Sequence, residues 1–146
     1  MSDIVTQRNI GALLSVATSV APQSATASVN GTSIDRQAHS MAGSCVLHTV
    51  LGADSGSPSA LSVQSKVQHS PDNSTWSDYK PDGVNVAEDA AALTAASTEQ
   101  STSVDLTAAA RYIRAVTTIS FTGGTSPAVE VATDVILGGE NTLPAV

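Results

Sequence analysis

RYIRAVTTISFTGG, residues 111–124, is the stretch on which the fold turns. Side chains of a β-strand alternate between two faces. The odd positions Arg111, Ile113, Ala115, Thr117, Ile119 and Phe121 form a largely apolar row. The even positions Tyr112, Arg114, Val116, Thr118 and Ser120 put an aromatic ring, a cation and a valine on the side that ought to be wet. The period of two predicts a strand. The mixed row raises the question of what covers its second face.

The neighbouring segments extend the pattern. Gly123, Gly124 and Pro127 predict a turn, and AVEVATDVIL (128–137) a return strand, with Val129, Val131, Val135 and Leu137 inward and Glu130 and Asp134 outward. LSVQSKVQHS (61–70) alternates in the same way. CVLHTVL (45–51) is apolar on both faces, as in a strand buried on both sides or sandwiched against a partner. From Ile10 to Val20 the even positions are mostly apolar, which favours a strand. Asn30-Gly31 between β-branched residues predicts a hairpin. Residues 100–106 read as a short strand, and 84–98 fit either a helix or a long loop. Residues 1–9 are polar without a period and read as an arm. Seven or eight short strands predict an all-β fold, an antiparallel β-sandwich of jelly-roll type, with a single domain over 10–146 and an extended N-terminal arm over 1–9.

Composition narrows the function. Charged residues are only 13% of the chain and the net charge is −7. Six scattered cations make no basic stripe, which argues against nucleic-acid binding. A neutral polar surface costs little to desolvate against another protein. No run approaches the ~18 apolar residues of a membrane helix. The lone Cys45 excludes a disulfide framework and reads as a small buried hydrophobe.

Chemistry finds no compact set of residues. His39, His48 and His69 lack zinc-ligand spacing, and no GxSxG elbow occurs. Asp72, Asp78 and Asp82 miss the calcium-loop spacing and read as turn residues. The expectation is no enzyme, no cofactor and no metal. Trp76 and Tyr79 are the one candidate ligand platform, for stacking on sugar rings, against the plainer reading that they cap the core.

Three segments carry a resemblance: VNGTSIDRQAHS (29–40), LSVQSKVQHSPDNSTWSDY (61–79) and DLTAAARYIRAVTTISFTGGTSPAVEVATDVILGG (105–139). In order and wording they resemble small structural proteins of tailed bacteriophages, the head decoration or cement proteins and related minor virion components. The resemblance implies a β-sandwich on the capsid surface of the virion that binds the assembled major capsid protein. It also implies a homo-oligomer, with a trimer favoured. Tyr112, Arg114 and Val116 would then be covered by a partner, with Ile4, Val5 and Arg8 of the arm as further contacts. A second layer from the same chain, such as 84–98, would cover them equally well. The competing reading is a carbohydrate-binding or adhesion module of a phage tail or surface appendage, using Trp76 and Tyr79.

Overall fold

A computed structural model describes residues 10–139. The arm over 1–9, with Ile4, Val5 and Arg8, and the tail from 140 lie outside the described residues. The strands are β1 (Ser15–Ala25), β2 (Val29–Asn30), β3 (Ile34–Asp35), β4 (Ser44–Ser55), β5 (Ala60–Ser70), β6 (Ser77–Asp78), β7 (Glu99–Asp105), β8 (Tyr112–Thr122) and β9 (Ala128–Gly138). Short 3-10 helices occupy Ile10–Ala12 and Arg36–His39. Sheet A has the order β1-β9-β4-β7, and sheet B the order β2-β8-β5-β6, with β3 also on β8. All pairings are antiparallel, and the two sheets pack face to face as a β-sandwich.

The core follows from the alternation. Ile113, Ala115, Thr117 and Ile119 of β8 meet Val129, Val131, Val135 and Leu137 of β9 and Leu47 and Leu51 of β4 across the interior. At its centre four hydroxyls bond to one another. Thr49 donates to Ser65 (2.8 Å), Ser65 and Thr117 lie 2.9 Å apart, and Thr117 and Thr133 2.9 Å. None is exposed, so each hydroxyl needs the others.

Strand partners differ from the local expectation at two places. Gly123-Gly124 does not close a hairpin, because β8 pairs with β5 in sheet B while β9 crosses to sheet A. The ladders β4–β9 and β5–β8 are one long ribbon folded across the sandwich, the wrapping a jelly roll uses. At the fold the two connections bond to each other, Thr125 N to Gly56 O at 2.8 Å. Asn30-Gly31 does not make a hairpin either: β2 and β3 both pair with β8. Gly31 is there for close approach, since a Cβ would strike the Ser19 hydroxyl and lie 2.6 Å from the Ala115 carbonyl.

The even row of β1 also fails to stay on one side. Register shifts flank Val20, so Val16 faces outward, 64% exposed, while Ser19 and Val20 are both buried. Residues 84–98 are neither helix nor free loop. They run as an irregular extended strap along β5, with bridges Val63–Leu93 and Lys66–Glu88. This strap covers an edge that would otherwise expose unpaired backbone.

Candidate protein-interaction surface

On the second face of β8 Tyr112 and Arg114 are half-buried, Val116 is buried, and Thr118 and Ser120 are exposed. Arg114 lies over the Trp76 ring at 4.4 Å, and its guanidinium donates to Gln68 Oε1 at 3.0 and 2.7 Å. Gln68 passes a hydrogen bond to Asp78 at 2.9 Å, and Lys66 reaches the same carboxylate at 2.9 Å. The Gln68 bond, then Lys66, holds the Asp78 carboxyl below its ordinary range. Tyr112 is half-buried with Arg111 4.9 Å above its ring, and Arg111 forks onto Asp35 at 2.9 and 2.7 Å. Val116 is only 8% exposed. The structure thus engages Tyr112, Arg114 and Val116 within the chain, and the strap over 84–98 lies along β5 instead of over them.

Trp76 and Tyr79 do not share a surface. Trp76 is on the outside of sheet B beneath Arg114. Tyr79 is 1% exposed, donates its hydroxyl to the Asp105 carbonyl at 2.7 Å, and packs on the His69 ring at 5.0 Å. The two rings therefore make no common sugar platform.

The titratable groups are taken up locally. Asp72 accepts from the amides of Ser74 and Thr75, and Asp82 from those of Val84 and Asn85. Those amides lower both carboxyls, Asp82 to about 2. Cys45 is buried in the core, which pushes its thiol up to about 12. His69 accepts from the Ala110 amide, and burial lowers its pKa. Among the described residues no three His, Cys, Asp or Glu side chains gather as a metal site.

The outer face of sheet A is organised differently. The register lays its side chains in rows across the strands. One row is Val16, Ile136, Val46 and Ser103; the next is Thr18, Asp134, His48 and Ser101; a third is Ala132, Val50 and Glu99. In the middle row Thr18 donates to Asp134 at 2.8 Å, and His48 lies 3.0 Å from Glu99. Grooves indent both ends of the face. One, of about 350 Å³, is lined by Leu14, Val46, Ser103 and Ile136; the other, of about 510 Å³, by Pro22, Val50, Glu130 and Ala132. The first and third rows carry the aliphatic Val16, Ile136, Val46, Val50 and Ala132, and the acids on this face are Asp134, Glu99 and Glu130. This surface suits a protein partner better than a small ligand.

Sequence reasoning saw CVLHTVL as two-faced but did not find this patch. Its partners Ile136 and Asp134 sit far along the chain, and only the β4–β9 register brings them beside Val46 and His48. Comparison with protein-family models and with curated proteins finds no match for this chain.

Proposed function

We propose that this protein is a structural component of a tailed-phage virion, a decoration protein that binds the outside of the assembled major capsid lattice and stabilises it. The observation that carries the reading is the outer face of sheet A, on which Val16, Ile136, Val46, Val50 and Ala132 stand in rows across the strands. Such a face gains free energy by being covered, which is what an assembly protein exploits. The phage family comes from the sequence resemblance.

Binding the assembled lattice and not its free subunits shifts the equilibrium toward the intact shell. Many copies add their contacts through avidity. The net charge of −7 disfavours adhesion of the decorated particle to packaged nucleic acid or to other acidic particles.

The test is co-sedimentation of the purified chain with expanded phage shells, together with the shells' melting temperature. Saturable binding and a higher melting temperature are expected. No binding, or turnover of a substrate by the purified chain, overturns the reading. Absence of shell binding with sugar-dependent Trp76 fluorescence moves it to a carbohydrate-binding module.

A further inference from the structure

The edge of a β-sheet is a template for one more strand, and most edges of this sandwich are blunted against that use. β1 is broken by two register shifts and carries Pro22. β2 and β3 are two residues each, and so is β6, beyond which the strap runs along β5. β7 is the exception. It pairs with β4 in one unbroken register over seven residues, and it holds no proline and no lysine.

The register decides which backbone groups of β7 are already paired. Leu51 N donates to Thr98 O and Leu106 N to Gly43 O, at 2.8 Å each. The same pattern continues through Gln100, Thr102 and Val104, whose N–H and C=O groups point at β4. Those of Glu99, Ser101 and Ser103 point away, and among the described residues no hydrogen bond reaches them. Of the outward groups, the Asp105 carbonyl is taken by the Tyr79 hydroxyl. Donors and acceptors that alternate in this way fit the backbone of an extended chain.

Charge says which chain. A groove of about 330 Å³ lies between this edge and the strap; Asp82, Glu88 and Asp105 line it with the aliphatic Val86 and Ala87, and among the described residues no Lys or Arg does. Glu99 stands at the other end of the edge, its side chain 68% exposed beside His48. We propose that the β7 edge takes an extended segment of another protein, bearing lysine or arginine, as an added antiparallel strand. This holds whatever covers the outer face of sheet A. A second copy of the chain is the poorer occupant. It brings the same acids, and pairing centred on Thr102 sets Glu99 opposite Asp105. In the added strand, residues opposite Glu99, Ser101 and Ser103 turn their N–H groups to the edge and their side chains to the face that carries Glu99 and Asp105.

The probe is a short amidated peptide that alternates lysine with valine, and the readout is amide hydrogen exchange of the full chain. At about 1 mM peptide and a Kd of about 100 µM, exchange at Glu99, Ser101 and Ser103 is expected to slow roughly tenfold, with Gln100 and Thr102 unchanged. Methylating the lysine backbone nitrogens is expected to abolish the effect, and methylating the valine nitrogens to leave it. A peptide with glutamate for lysine is expected to bind at least about tenfold more weakly. Joint replacement Glu88→Lys and Glu99→Lys is expected to reverse that preference. The methylated peptides need no variant, so the test stands even if the double variant does not fold. No slowing at the three amides, or equal binding of both methylated peptides, overturns the proposal. So does a preference for lysine that survives the double replacement. Edge amides already protected without peptide mean that a second copy or another part of the chain holds the edge, and overturn it too. Shell binding is read separately. Peptide capture without shell binding supports the edge and refutes the decoration reading; shell binding without capture does the reverse.

Discussion

Thr49, Ser65, Thr117 and Thr133 place four hydroxyls where a sandwich of this size would ordinarily put methyl groups. Removing one leaves its neighbours buried and short of a partner, whereas removing all exchanges a polar cluster for packed methyls. Thr117→Val is expected to cost about 1–2 kcal/mol in urea unfolding. Joint replacement of Thr49, Thr117 and Thr133 by Val and Ser65 by Ala is expected to cost clearly less than the sum of the four single changes. Alternation in the sequence put Thr117 inward. It gave no sign that the hydroxyls meet, because Ser65 and Thr133 are 68 residues apart. A second buried polar group, Asp89, lies 1% exposed on the strap over 84–98. It accepts from the Ser65 amide at 2.9 Å, Gln100 at 3.0 Å and Thr102 at 2.8 Å. Burial nevertheless raises its pKa above the ordinary aspartate value. A raised folded pKa gives a stability contribution that is present below the unfolded pKa and lost as pH rises through the folded one. Asp89→Asn can keep an acceptor toward Ser65 and Gln100 and donate to Thr102. Its stability relative to wild type is therefore expected to improve between about pH 4 and about pH 7, read from urea midpoints at both.

Elements show a different mixture of legible and hidden. β5, β8 and β9 were readable because each has one strict inward row, and a slip of one residue would expose all of it. Their partners were not readable, since hairpin signals such as Asn30-Gly31 report local turn geometry and not which strand lies alongside. The loop over 36–43 hides another organising group. Arg36 is 3% exposed and gives its guanidinium to the carbonyls of Ala42, Ala109 and Ala110 at 2.8, 2.6 and 3.1 Å. It ties the 3-10 helix to the connection before β8. Arg36→Ala is expected to destabilise by roughly 3 kcal/mol, because those carbonyls lose charged donors. Gly31→Ala is expected to cost roughly 2 kcal/mol or more, since the atoms nearest its Cβ include the backbone carbonyls of Ser19 and Ala115, which cannot swing aside. Thermal melts of both variants check these values. The outer face of sheet A belongs to this scale as well, as each strand supplies only one side chain to each row.

For the whole molecule, the pairings are long-range: Ser15 with Leu137, Ser44 with Gly138, Ala60 with Thr122. Closing such loops before any contact rewards them makes folding slow. Refolding is expected in the range of about milliseconds to seconds, and Trp76, the one tryptophan, reports it through its stacking with Arg114. Stopped-flow fluorescence checks the rate, and a phase faster than about 100 microseconds would contradict this topology argument. The pairing of Ser15 with Leu137 has a practical corollary for protein engineering. The two extremities of the sandwich emerge side by side, so a short linker between them would let the polypeptide be cut open in the exposed loop at 73–75 and still close the same ribbon. A circularly permuted version would carry fused cargo at that loop.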